Sequence, residues 1–179
     1  MLRPATILAF LLCALSTRAE APRLVTAGSA VTEIAVALGL TPQIVAVDTS
    51  GQAVEGMGDK PDVGYVRMLG AEGILAQKPD LLLVSGEAGP PSVLGQIRAA
   101  GADVVIIPNG YSLDDIDDKI RTIAAVTGRV EEGEKLIMKV ESDVHALRAA
   151  TANHDGERPS VVFLLARHGG NLMAAGRET

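Results

Sequence analysis

The sequence predicts an α/β fold. A lobe built on a parallel sheet wrapped by helices comes first, then a long interlobe helix, then the start of a second α/β lobe. Three observations carry this reading. Leu81-Leu-Leu-Val84 and Val104-Val-Ile-Ile107 are unbroken apolar runs of strand length, the pattern of strands covered on both faces. Strand and helix patterns alternate through the first lobe, which is the signature of parallel pairing by crossover. A helical pattern from about Arg129 to Ala152 is long for a crossover, spanning about 35 Å at 1.5 Å per residue, and suits a backbone joining two lobes.

The chain opens with Arg3, an apolar run from Ala5 to Leu15 too short to cross a bilayer, and the small-x-small site Ala19-Glu20-Ala21. Residues 1–21 therefore read as a secretory signal peptide. The single cysteine, Cys13, lies inside that run. Leu12 before it is not the small residue that a lipoprotein signal needs. The mature chain is thus expected to lack thiols and disulfides, and to be exported and soluble in the periplasm.

Residues 22–128 form the N-terminal lobe. Leu24 to Thr26 opens a strand, and Ser29 can cap a helix marked by Val31, Ile34, Ala35 and Leu38, closed by Gly39 and Pro42. Ile44-Val-Ala-Val47 is the second strand. Between the two apolar runs, Val93, Leu94 and Ile97 mark a helix closed by Gly101. Ser112-Leu-Asp-Asp115 reads as a capping box for a helix continuing through Ile116, Ile120 and Ile123 to Gly128. Residues 129–152 are the linking helix. From 153 to 179 the chain begins a C-terminal lobe, where Ser160 to Leu165 reads as a buried strand with no partner in view.

Bulk properties exclude several functions. Net charge is −6, which disfavours a polyanionic partner. Aromatic content is 2% with no Trp, which disfavours stacking on bases or sugars. There is no G-x-G-x-x-G after the first strand, no Walker loop, no G-x-S-x-G and no H-E-x-x-H, so an exported α/β enzyme is the weaker reading. Three scattered histidines, His145, His154 and His168, suit a zinc or manganese carrier poorly. Asp114, Asp115, Asp117 and Asp118 mark a helix start and lack the spacing of a calcium loop.

One connection breaks the rhythm. From Asp48 to about Met68 no periodicity is visible, while Gly51, Gly56, Gly58, Pro61 and Gly64 accumulate. Connections of this length in compact α/β units are usually functional or disordered. This one leaves the carboxyl end of the second strand, on the side where such sheets bind ligands. It carries Tyr65 and Arg67. In an extended segment two residues apart share a side. A phenol has an ordinary pKa near 10, lowered by a metal or a nearby cation, and as phenolate it is a hard donor suited to Fe(III).

The segment Pro61-Asp-Val-Gly-Tyr65-Val-Arg67-Met-Leu-Gly-Ala-Glu72-Gly-Ile-Leu resembles the haem-binding branch of the class III periplasmic binding proteins of ABC importers. Ala71-Glu72 through Lys78-Pro79-Asp80-Leu81 is similar to the class as a whole. Arg167-His168-Gly-Gly-Asn-Leu-Met-Ala-Ala-Gly176 resembles that branch's second-lobe loop. The resemblance runs from about Arg23 to Thr179 and leaves roughly a lobe of the family's chain unmatched. It implies two α/β lobes joined by one long helix. It also implies periplasmic capture of ferric haem b and its delivery to an inner-membrane permease with its ATPase, possible upstream handling by an outer-membrane receptor system, and a monomer. Tyr65 would then be the iron ligand, Arg67 would hydrogen-bond the phenolate, His168 would support the haem across the cleft or be a plain loop histidine, and Glu72 would be the carboxylate that docks on the permease. The rival cargoes are another iron chelate or a corrinoid: a siderophore or cobalamin. Tyr111, near the ligand edge, is read as structural, and Met68 as a core contact rather than a porphyrin contact.

Overall fold

The computed structural model describes residues 21–110, 112–152, 160, 162–166 and 172–175. Residues 1–20 of the proposed signal peptide, with Cys13, and also Tyr111, His154, Arg167 and His168, lie outside the described residues. The chain divides into two compact units, 1–138 and 139–179.

The first unit is an open parallel sheet. Its strands are β1 (Leu24–Ala27), β2 (Ile44–Val47), β3 (Leu81–Ser85) and β4 (Asp103–Ile107), in spatial order β2-β1-β3-β4. All three pairings are parallel. Helices α1 (Ser29–Ala37) and α4 (Leu113–Thr127) cover one face, and α2 (Ala71–Ala76) and α3 (Pro91–Ala99) the other. Strand alternation divides the core between these faces: Leu24 and Leu83 pack with Val31, Ala35 and Ile123, whereas Val25, Leu82 and Val84 pack with Ile74, Leu94 and Ile97. The continuous apolar run of β3 thus belongs to a central strand buried on both sides, as does β1 beside it.

β4 departs from that expectation. It is the edge strand, and Ile106 is 44% exposed. The order of the strands decides this, not their composition, since Val104-Val-Ile-Ile107 is as apolar as Leu81-Leu-Leu-Val84.

The helix boundaries follow local chemistry. Ser112 and Asp115 make the capping box at the start of α4, and Gly128 ends that helix in the left-handed region at φ 68°. The cap of α1 differs from expectation. Gly28, at φ 107°, is its N-cap, and Ser29 is the first helical residue with no side-chain cap. A Cβ at residue 28 would stand 2.9 Å from the Ser85 Cβ, so the tight β1–α1 turn needs glycine.

The long segment after β2 is ordered. It turns through a 3-10 helix at Gly51–Ala53, buries Met57 completely, and returns alongside β2. There the Val47 N–H donates to the Pro61 carbonyl (3.1 Å), the Val63 N–H to the Val47 carbonyl (3.0 Å) and the Thr49 N–H to the Gly64 carbonyl (3.0 Å). Backbone groups that would otherwise be bare along the β2 edge are satisfied in this way.

α5 (Val130–Ala152) runs as one helix, as its pattern requires, and passes from the first unit into the second. The second unit holds β5 (Phe163–Ala166) and β6 (Leu172–Ala175), paired antiparallel with Phe163 opposite Ala175. The expected unpartnered strand therefore has a partner, four residues that the sequence reading placed in a loop. The strand also begins later than expected, and Val162 before it is 71% exposed. Short apolar stretches such as Leu172-Met-Ala-Ala175 carry too few positions for periodicity to reveal a strand.

Candidate functional site

Four connections meet at the carboxyl ends of the parallel strands: β1–α1, β2–α2, β3–α3 and β4–α4. They enclose an open hollow of about 320 Å³. Its walls are Gly28, Ser29 and Ala30 from the first, Ser50, Tyr65 and Val66 from the second, Ser85 and Glu87 from the third, and Asn109 and Gly110 from the fourth, with Lys119 reaching in from α4. A larger hollow, about 410 Å³, lies at the opposite ends of β3 and β4 against Asp80, Asp103 and Val126, and includes none of the candidate site residues.

Asp48 organises the first two connections. The residue is fully buried. Its Oδ1 accepts from the Gly28 N–H (2.9 Å) and the Gly51 N–H (3.0 Å), and its Oδ2 from the Ser50 N–H (3.1 Å) and Ser50 Oγ (2.7 Å). One carboxylate therefore ties the β1–α1 turn to the start of the long loop, and four donors offset its burial.

The far end of that loop is pinned to the next connection. The Gly89 N–H donates to the Val66 carbonyl (3.0 Å) and the Leu69 N–H to the Gly89 carbonyl (2.8 Å). Val66 and Leu69 are buried as anchors, and Tyr65 is left 49% exposed on the hollow. The segment is not extended as expected. Val66–Met68 is a 3-10 turn closed by the Met68 N–H on the Tyr65 carbonyl (2.7 Å). Alternation along a strand therefore does not relate Tyr65 to Arg67; the turn and its two anchors place them. Met68, read as a core contact, is instead 76% exposed, because the same turn sends Val66 inward and Met68 outward.

Arg67 donates through Nε (2.8 Å) and Nη2 to Glu87 Oε2, linking the Tyr65 loop to the β3–α3 connection. Both side chains are substantially exposed, so the pair adds little to stability and its consequence lies in the charge it sets at the hollow's rim. Lys119 Nζ donates to the Gly110 carbonyl (3.0 Å). Glu72 stands exposed in the first turn of α2, outside the hollow's lining. His145 is exposed on α5.

Tyr65 is thus joined at the hollow by Ser85, Glu87, Asn109 and Lys119, which the sequence reading did not single out, and Asp48 braces the wall through Gly28 and Ser50. Ser85 ends β3, Glu87 and Asn109 stand two residues past β3 and β4, and Asp48 directly follows β2, so position at a carboxyl strand end was the available signal. Among the described residues there is no cluster of three or more His, Cys, Asp or Glu that could hold a metal, and no helix long and apolar enough to cross a membrane.

Known proteins share this architecture. The heme-binding protein RhuT from Roseiflexus sp. RS-1 is 38% identical, with a TM-score of 0.81 over 89% of this chain and 61% of that one. HutB of Vibrio cholerae, a periplasmic heme-binding protein, is 37% identical, with a TM-score of 0.74 over 87% of this chain and 59% of that one. Among curated proteins, the vitamin B12-binding protein of Yersinia pestis (strain Pestoides F) is 28% identical over 165 residues, 90% of this chain and 57% of that one. The chain spans about half the length of the curated relatives it matches first. The model of the family described as periplasmic binding protein matches residues 24–179, and the parallel sheet with its helices has the class III form of that fold. The chain belongs to the periplasmic binding protein family.

Proposed function

We propose that this chain is part of a periplasmic carrier that captures ferric haem b and hands it to an ABC-type inner-membrane importer, with the Tyr65 phenolate as iron ligand. The observation that carries the reading is the half-exposed Tyr65 on the hollow at the carboxyl edge of the sheet, beside the Arg67–Glu87 pair. A phenol offered to solvent on a rigidly anchored turn is available to a ligand. As phenolate it is a hard anionic donor of the kind that ligates Fe(III). The names of RhuT and HutB as heme-binding proteins support haem as cargo. An anionic oxygen ligand stabilises Fe(III) over Fe(II), which suits carriage rather than redox turnover. His168, in the second unit, would add support to the bound haem, and α5 would join the two lobes. Export through residues 1–21 and docking on the permease through Glu72 complete the proposal.

The test is a hemin titration of the purified chain. The expected result is a Soret band of five-coordinate ferric-tyrosinate type that Tyr65→Phe abolishes or weakens at least tenfold in hemin affinity. An unaltered spectrum and affinity in that variant would remove Tyr65 from the iron. A corrinoid cargo is the second reading, favoured by the vitamin B12-binding name of the curated relatives. Saturable binding of cyanocobalamin, with no Soret change on adding hemin, would replace haem by that cargo.

A further inference from the structure

We infer that Lys119 is the anion anchor of the hollow, a specificity-determining residue that holds a peripheral carboxylate of the ligand. This rests on the haem reading above and deepens it. Two charged side chains line the hollow, Glu87 and Lys119. The Glu87 carboxylate is engaged by the Arg67 guanidinium. Lys119 is in no such direct ion pair among the described residues: its one hydrogen bond goes to the neutral Gly110 carbonyl at 3.0 Å, and the Asp115 carboxylate, one turn back on α4, also lies against Gly110. An ammonium carries three donors, so two remain for whatever enters.

The bond to Gly110 also fixes where that charge sits. Lys119 is half-buried, and its ammonium is held against the β4–α4 connection. The helix that carries it is itself fixed by the Ser112–Asp115 capping box. The rest of the nearby wall offers Ser29, Ser85 and Asn109, neutral groups able to donate to oxygen. A cation fixed on the wall of a concave site raises the local positive potential, here on a chain whose net charge is −6. The matching ligand group is a carboxylate, which takes a charge-assisted hydrogen bond from the ammonium. Ferric haem carries two propionates on one edge. Tyr65 takes the iron, Lys119 takes a propionate, and the two contacts together set the in-plane orientation of the porphyrin. Lys119 would have a purely structural role if it served only to satisfy the Gly110 carbonyl.

The experiment compares hemin with hemin dimethyl ester, which keeps the iron and the ring but has no free carboxylate. The wild-type chain is expected to prefer hemin by about tenfold, the scale of one charged hydrogen bond. Lys119→Gln should bring the two affinities within about twofold while retaining the ferric-tyrosinate Soret band, and Lys119→Arg should keep most of the preference. A wild-type preference that survives unchanged in Lys119→Gln overturns the anchor and leaves the haem reading intact. A wild-type chain that binds both porphyrins equally also overturns it. If neither porphyrin shifts the Soret band of the wild-type chain, the haem reading fails and the anchor falls with it. Matching far-ultraviolet spectra and melting midpoints across the variants keep a folding defect from imitating the expected result.

Discussion

Asp48 holds two loops together with one carboxylate, and the shape of the hollow depends on it. Removing that side chain leaves the buried Gly28 amide and the half-buried Ser50 N–H without their acceptor, and the Gly51 N–H keeps only the Asp48 backbone carbonyl (2.9 Å). Asp48→Ala is therefore expected to cost about 3 kcal/mol of stability in urea unfolding. A loss below about 1 kcal/mol would mean that those donors find other acceptors. Gly28 belongs to the same joint, since its positive φ and its approach to Ser85 both exclude a side chain. At this scale the sequence exposed Tyr65 and Arg67, because a rare tyrosine on a glycine-rich loop is conspicuous. Glu87 and Lys119 were not visible. Folding brings them to the hollow: Glu87 meets Arg67 twenty residues away, and Lys119 bonds the Gly110 carbonyl nine residues before it.

Among the elements, α4 shows how a local signal reaches the site. Its capping box was readable because Ser112 and Asp115 are three residues apart and each satisfies the other's backbone: the Ser112 N–H donates to Asp115 Oδ2 (2.8 Å), and the Asp115 N–H to Ser112 Oγ (3.2 Å). Ser112→Ala is expected to destabilise the fold by about 1 kcal/mol, read as a lowered urea midpoint at unchanged slope. An unchanged midpoint would show that α4 is held by packing of Ile120 and Ile123 alone. The long loop after β2 was legible only as an interruption. Its order comes from backbone pairing with Val47, Thr49 and Gly89 and from burial of Met57, Val63 and Val66, and pairings between distant residues leave no period in the sequence. The turn at Val66–Met68 was missed for a related reason: three residues are too few to distinguish a 3-10 turn from an extended run.

For the whole molecule, the proposal makes capture and delivery separable. Tyr65 and Lys119 face the hollow, whereas Glu72 is exposed on α2 outside its lining. A docking role for Glu72 therefore predicts that Glu72→Ala leaves hemin affinity within about twofold of the parent. Hemin uptake by vesicles carrying the cognate permease and its ATPase should nevertheless fall at least fivefold. Equal uptake by parent and variant would reduce Glu72 to a favourable charge at a helix start, worth about 0.3–1 kcal/mol. The two units also differ in how much the sequence disclosed. The sheet of the first was predictable from its apolar runs, while β5 in the second was expected to lack a partner that β6 in fact supplies.

By itself the sequence determined the layered parallel sheet, the long helix and the carboxyl edge from which the long loop leaves. Those follow from apolar periodicity and from the handedness of crossovers, which act along neighbouring residues. Only the tertiary structure decided that β4 is the open edge, that Tyr65 stands on a 3-10 turn, that Arg67 meets Glu87, and that Lys119 faces the same hollow. Each of these is an encounter between side chains or backbones far apart in the chain. Such encounters are set by how the whole sheet and its connections pack, and a linear pattern does not encode them position by position.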